Sequence, residues 1–240
     1  LLVDFASDTD IPLCWYSFNS SDQDLNVFFD TLLTAIRYRF PEFGKKTEAM
    51  IRSSVDITKE VNRIIGFLTG EMHTDIPEYF ILVLEDYHLV ESDNTLKSVL
   101  ELLLERAPVN CHFIITSRTP IELSVLNKLR LQRDIARLEI LDLSFTSVEV
   151  RQLLADYYNI QLSESEAQKL AAQSEGWIAG ILLGISTSFQ SQLPDARVQL
   201  SSQDVFNYLA SEVYEKQSPE IKGFLLISSI FWEIEPRNCK

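Results

Sequence analysis

Short β-favouring apolar runs alternate with three-and-four-spaced apolar stripes along the first half of the chain. That is the pattern of a parallel sheet with crossover helices. Leu13-Cys14-Trp15-Tyr16-Ser17-Phe18 reads as a strand. Ser20, Ser21 and Asp22 follow as turn and N-cap candidates, and Leu25, Phe28, Phe29, Leu32, Leu33 and Ile36 then form one helix face that ends before Pro41. Thr47 to Gly70 is also helical in period, with Val61, Ile64, Ile65 and Leu68 as its stripe. The unbroken run Tyr79-Phe80-Ile81-Leu82-Val83-Leu84 predicts a strand covered on both faces, and Glu85-Asp86 ends it. Leu96, Val99, Leu100, Leu103 and Leu104 predict a crossover helix, and Cys111-His112-Phe113-Ile114-Ile115-Thr116 a further strand ending in Ser117-Arg118. The alternation from Ala136 to Leu141 predicts a strand near the sheet edge.

From Asp142 onward the pattern is helical only. Thr146 with Glu149 and Ser163 with Glu166 have capping-box spacing and mark two helix starts. Trp177 to Ile185 is apolar nearly all round, which predicts a buried helix. The Ser- and Gln-rich stretch from Ser186 to Ser202 reads as a linker or exposed loop. Two amphipathic helices are expected after it, one with Phe206, Leu209, Ala210 and Val213, the other with Ile221, Phe224, Leu225 and Ser228. The fold class is therefore α/β, with a parallel-sheet core followed by an all-helical part.

Composition narrows the functions. With 240 residues and a hydrophobic fraction of 46%, the chain has enough apolar material for a substantial core in one or two domains. No apolar run approaches the ~20 residues that cross a bilayer, and no signal peptide is recognisable, so the expected compartment is the cytoplasm, with no membrane partner. A net charge of −14 without clustered Lys and Arg argues against direct nucleic-acid contact by this segment. Cys14, Cys111 and Cys239 are widely spaced and read as reduced thiols. His73, His88 and His112 show no ligand spacing.

Three places hold candidate chemistry. An apolar strand ending in two acids, Phe80 to Asp86, is the Walker B pattern: Glu85 at the strand's carboxyl end could hold Mg²⁺ through water, and Asp86 could orient or deprotonate an attacking water. The alternative is the start of a solvated loop. Arg118 ends the next strand, where a guanidinium could report a terminal phosphate or form a surface ion pair. In Glu175-Gly176-Trp177-Ile178-Ala179-Gly180, Gly176 permits close backbone approach at a helix start and Trp177 offers a flat apolar side chain; a capping glycine beside a core tryptophan fits equally.

Leu84-Glu85-Asp86-Tyr87-His88-Leu89 resembles the extended Walker B of STAND-class P-loop ATPases of the maltose-activator and large LuxR-type regulator family. Ile115-Thr116-Ser117-Arg118-Thr119-Pro120 resembles their sensor strand, and Cys14-Trp15-Tyr16-Ser17 the strand after the phosphate-loop helix. Leu143-Ser144-Phe145-Thr146 and Glu175-Gly176-Trp177-Ile178-Ala179-Gly180 resemble the opening and signature helix of their helical subdomain. The resemblance implies a metal-associated acid at Glu85, a catalytic acid at Asp86, a sensor at Arg118, and a nucleotide-facing lid at Gly176 and Trp177. It implies ATP or ADP with Mg²⁺ as cofactor and a slow ATPase in the parent protein. An unidentified inducer would favour self-association, and a separate helix-turn-helix domain would act on DNA.

On this basis residues 1–141 are expected to form the nucleotide core, 142–191 the helical lid, and 192–240 the start of a winged-helix-like subdomain. The sequence departs from the family at Glu85, where Asp is usual, and holds no Gly-x-x-x-x-Gly-Lys-Ser/Thr loop. Leu1 to Ala6 looks like the helix that should follow such a loop, so the chain is expected to be a fragment with poor ATP binding of its own. The competing expectation is a non-catalytic interaction module that keeps the fold without the chemistry.

Overall fold

The run Phe80–Glu85, apolar at every position but its last, becomes the middle of the sheet, where both faces and both edges are covered. The computed structural model describes residues 1–188, 207, 210–215 and 217–229, and the chain divides into two compact units, 1–136 and 137–240.

In the first unit β1 (Leu13–Ser17), β2 (Phe80–Glu85) and β3 (Cys111–Ile115) pair in the order β1-β2-β3, both pairs parallel. Ser17 stands opposite Glu85, and Leu84 opposite Ile115, so all three strands finish at one edge. Parallel neighbours need crossovers. These are α2 (Leu25–Arg37), α3 (Lys45–Ser53) and α4 (Ile57–Thr74) between β1 and β2, and α5 (Asn94–Arg106) between β2 and β3. The helix α1 (Leu2–Asp8) precedes the sheet and α6 (Val125–Gln132), which the apolar pattern does not announce, follows it.

Strand alternation sorts the core into two layers. Cys14, Tyr16, Phe80, Leu82, Leu84 and Cys111 pack with the stripes of α2 (Phe28, Phe29, Leu32, Leu33, Ile36), α4 (Ile64, Ile65, Leu68) and α5 (Leu96, Val99, Leu100, Leu103). On the other side Leu13, Ile81 and Val83 pack with Trp15, Ile114 and, from α1, Leu2 and Ala6.

The expected single helical stretch from Thr47 to Gly70 is two helices. Ser54 is extended (φ −77°, ψ 128°), and Asp56 accepts the Thr58 N–H to start α4 afresh. Helix α3 begins at Gly44, whose φ of 79° only glycine adopts freely and which has no side chain to cap with. A neighbouring helix supplies the cap instead. Glu71 of α4 is 3% exposed. Its carboxylate accepts the N–H groups of Lys46 (2.8 Å) and Thr47 (2.9 Å) and the Thr47 hydroxyl (2.5 Å). A negative group at the positive end of a helix, bonded to its orphan amides, ties α3 to α4. The cap of α2 is Asp24, which accepts the Asn26 N–H, while Ser20–Gln23 forms a 3₁₀ turn capped by Asn19.

The strand expected from Ala136 to Leu141 does not form. Ile140–Leu143 is one helical turn (α7), opened by a capping box between Glu139 and Asp142. Leu138, Ile140 and Leu141 stay exposed. Alternation alone does not make a strand without a sheet edge to pair with.

In the second unit α8 (Ser147–Tyr158), α9 (Glu164–Gln173) and α10 (Ile178–Ser188) enclose Val150, Leu154, Ile160, Leu162, Ala167, Leu170, Ile181 and Ile185. Both expected capping boxes are present, Thr146 with Glu149 and Ser163 with Glu166. The helix read as buried all round is not: Ala179, Ile181 and Ile185 are buried, but Trp177 and Ile178 are 48% and 38% exposed. A helix spans Pro219–Ser228, with Ser228 buried and Ile221, Phe224 and Leu225 exposed. The linker from residue 189 onward, and Phe206 and Leu209 of the helix expected before it, lie outside the described residues; a π-helical turn occupies Ala210–Tyr214.

Replacing Glu71 with alanine leaves the Lys46 and Thr47 amides and the Thr47 hydroxyl without this partner and should lower stability by about 1–3 kcal/mol in urea unfolding, a loss that an unchanged midpoint would contradict. The capping boxes predict acid sensitivity. Hydrogen bonds from the Thr146 backbone and hydroxyl hold the Glu149 carboxyl below its ordinary 4.5, and those from the Ser163 hydroxyl and backbone do the same for Glu166. A folded value below the unfolded one gives stability that is complete above the ordinary value and is lost as pH falls through the folded one. The midpoint of thermal unfolding should therefore fall between about pH 5 and 3, and fall less in a Thr146→Ala, Ser163→Ala double variant.

Candidate functional site

The carboxyl-terminal edge of the sheet carries the only strand-end acids of the first unit's described strands, Glu85 and then Asp86. In open parallel sheets this edge is where ligands bind, because the loops there splay between strand ends and helix starts.

Glu85 is held from the neighbouring strand. Trp15 Nε1 and Ser17 Oγ both donate to its Oε2, at 2.9 and 2.7 Å. The two donors are two residues apart on β1 and so share a face. The Glu85 carbonyl also accepts the Phe18 N–H at 2.9 Å, which ties the backbone beyond β1 to that of β2. Among the described residues Oε1 accepts no hydrogen bond. One carboxylate oxygen is thus fixed, and the other has no hydrogen-bond donor among the described residues.

Asp86 turns the chain. Its φ of 60° and ψ of 39° lie in the left-handed region, where Asp is better tolerated than most residues. Thr116 holds that turn from the loop after β3: its Oγ1 accepts the Asp86 N–H at 3.1 Å and its carbonyl the Tyr87 N–H at 3.0 Å. Tyr87, 2% exposed, anchors the segment in the core beside Phe18, with ring centroids 6.1 Å apart and planes at 71°. The Asp86 side chain remains 43% exposed.

Arg118 follows Thr116 by two residues, in a loop where the Ser117 and Thr119 hydroxyls lie 3.1 Å apart and Thr119 donates to Glu91. Parallel pairing therefore brings the backbones carrying Glu85, Asp86 and Arg118 onto adjacent loops at one edge. Gly176 and Trp177 belong to the second unit. There the Gly176 carbonyl accepts the Phe145 N–H at 2.9 Å, with φ at 71°. A Cβ on Gly176 would lie 2.8 Å from the Phe145 N and O and from Ser144 Cβ. The close approach read from the sequence is thus to the unit's own opening segment, and the half-exposed Trp177 is not a core residue.

The residues fit Mg²⁺ in the manner usual for nucleotide sites. Among the described residues no group of three or more His, Cys, Asp or Glu side chains gathers around a point. A nucleotide-bound Mg²⁺ needs no such cage, since one or two carboxylates, water and phosphate oxygens complete its shell. Glu85, with one oxygen fastened and one open, and Asp86 beside it meet that requirement. Burial pushes the Cys14 thiol up to about 12 and raises Cys111 likewise, so these two stay protonated at neutral pH.

Sequence reading missed three contributors, Trp15, Ser17 and Thr116. The signal was present for two of them: Trp15 and Ser17 occupy alternate positions at the end of a strand flanking the acid-tipped one.

Over 241 aligned residues, 96% of the chain, it is similar to the HTH-type transcriptional regulator MalT of Yersinia enterocolitica, at 25% identity. Over 239 residues, again 96% of the chain, it is 27% identical to MalT of Yersinia pestis and of Yersinia pseudotuberculosis. The chain spans 25% of the length of these relatives. No family model matches it. The chain is homologous to MalT along nearly its whole length.

Gly176→Ala should destabilise the second unit by about 1–3 kcal/mol, through the strained φ and the contact with Phe145. Thermal unfolding checks this, and an unchanged midpoint would show that the turn does not need glycine.

Proposed function

We propose that this chain is the nucleotide-responsive switch region of a longer transcriptional regulator of the MalT kind. The observation that carries the reading is the fastening of Glu85, by Trp15 and Ser17, at the carboxyl end of the central strand of a parallel sheet. In this reading residues 1–141 form the nucleotide core, 142–191 the helical lid and 192–240 the start of a winged-helix-like subdomain. The protein works in the cytoplasm, self-associates in response to nucleotide and an inducer, and leaves DNA contact to a helix-turn-helix domain outside this segment.

Each residue has one task. Glu85 presents Oε1 to Mg²⁺, directly or through water, and its extra methylene relative to Asp lengthens its reach. Mg²⁺, when bound, neutralises phosphate charge and orients the nucleotide. Asp86 accepts a hydrogen bond from the attacking water and so orients it. Arg118, on the adjacent loop, donates to the terminal phosphate and couples its presence to the loop after β3. In the second unit Gly176 sets the turn that starts α10, and Trp177 stands exposed beside it in the segment assigned to the lid. The glycine-rich phosphate cradle, whose pattern occurs nowhere in the 240 residues, is supplied by the longer protein, so this chain alone binds Mg-ATP weakly.

In the full-length protein, Asp86→Asn should lower ATP turnover by about 100-fold while changing ATP affinity by less than about threefold. Arg118→Ala should leave affinity within an order of magnitude and abolish nucleotide-dependent self-association, as read by light scattering. Unchanged turnover in Asp86→Asn would remove the catalytic assignment and favour a non-catalytic interaction module on the same fold.

A further inference from the structure

The two donors on Glu85 converge on one oxygen and fill it. An ionised carboxylate offers about four lone-pair directions, two on each oxygen. The Trp15 indole N–H (2.9 Å) and the Ser17 hydroxyl (2.7 Å) take both of those on Oε2, and none of the hydrogen bonds of the described residues involves Oε1.

The carboxylate is held at both ends of its side chain. Strand alternation puts Glu85 on the same face of the sheet as Trp15 and Ser17, and Ser17 stands directly opposite it in register. The Phe18 N–H on the Glu85 carbonyl, at 2.9 Å, fixes the backbone from which the side chain pivots. At the far end the indole cannot turn away, because its partly buried ring packs against Leu13, Ile81, Val83 and, from α1, Leu2 and Ala6.

We propose that Trp15 and Ser17 set the cation specificity of this site: by occupying Oε2 they restrict Glu85 to coordination through one oxygen, which suits Mg²⁺ and disfavours Ca²⁺. The identity of Glu85 as the acid that meets the cation rests on the function proposed above; the fastening of its Oε2 does not.

The discrimination follows from what each ion demands. Mg²⁺ takes a compact octahedral shell, keeps several waters, and needs a single carboxylate oxygen, directly or through water. Ca²⁺ is larger, takes about six to eight oxygens, and often fills its shell by gripping a carboxylate with both. To be gripped that way, Glu85 must release a donor from Oε2. The exposed Ser17 hydroxyl would turn to water at little cost, whereas the indole N–H, fixed by the packing of its ring, would lose its acceptor. A ligand on Oε1 alone breaks neither bond. The indole is therefore the stronger determinant and the hydroxyl the weaker.

Cation preference and the indole proton read the two halves of this separately. In the full-length protein, calorimetric titration with a non-hydrolysable ATP analogue should give an affinity at least about tenfold higher with Mg²⁺ than with Ca²⁺. Trp15→Phe, which keeps a packed ring and removes the N–H, should shrink that ratio about fivefold by tightening the Ca²⁺ complex, and Ser17→Ala should shrink it less. A merely structural loss would weaken both complexes alike and leave the ratio standing. In the 240-residue chain, with no metal present, the Trp15 indole N–H, assigned by its disappearance in Trp15→Phe, should exchange with D₂O at least about tenfold faster in Glu85→Ala than in the wild type. Equal exchange rates, or a wild-type protein that does not distinguish the two ions, overturn the proposal. A ratio unchanged in Trp15→Phe and in the Trp15→Phe, Ser17→Ala double variant, while Glu85→Gln weakens the Mg²⁺ complex, defeats this inference alone. Binding of both complexes unaffected by Glu85→Gln defeats the proposed function and the specificity with it, and leaves only the fastening of Oε2.

Discussion

Everything at the candidate site depends on parallel pairing of β2 with a strand on each side. Parallel strands end at the same edge, so Ser17, Glu85 and the loop after Ile115 arrive together without any long-range coincidence. The pairing is possible because Phe80 to Leu84 is apolar at every position and can be covered on both faces. A polar residue within that run would expose one face and release the edge.

Around that edge the chain uses backbone and neutral donors more than charge. Glu85 is fastened by an indole N–H and a hydroxyl, and Asp86 by a threonine hydroxyl at its amide. Neutral donors hold an acid in place without cancelling its charge. The region around α3 shows the opposite economy: Glu71 is buried and its oxygens are consumed by the amides and hydroxyl of α3. Two acids in one unit thus have different uses, and the difference is which donors surround them.

Much of the fold was legible because its signals are local. The stripes of α2, α4 and α5, the continuous apolar β2 and the two capping boxes each lie within a few residues of themselves, and each formed. The failures have one cause, which is that neighbours decide. Ala136 to Leu141 alternates like a strand, yet without a pairing edge it coils and then makes a single helical turn. Trp177 and Ile178 are apolar but sit at the exposed start of α10. At the site, Glu85, Asp86 and Arg118 could be placed on one edge from strand ends alone. Thr116 could not, and Trp15 and Ser17 showed only as alternate positions on the flanking strand, because these roles come from register across strands about 30 to 70 positions apart.

The proposed function makes one central claim, that the Glu85 carboxylate faces a nucleotide-bound cation. A crystal structure of the full-length protein with a manganese complex of a non-hydrolysable ATP analogue tests it most directly. An anomalous peak for manganese within about 5 Å of the Glu85 carboxylate, on the side of Oε1, is the predicted result. A nucleotide seated elsewhere, with the metal far from the carboxyl end of β2, would contradict it.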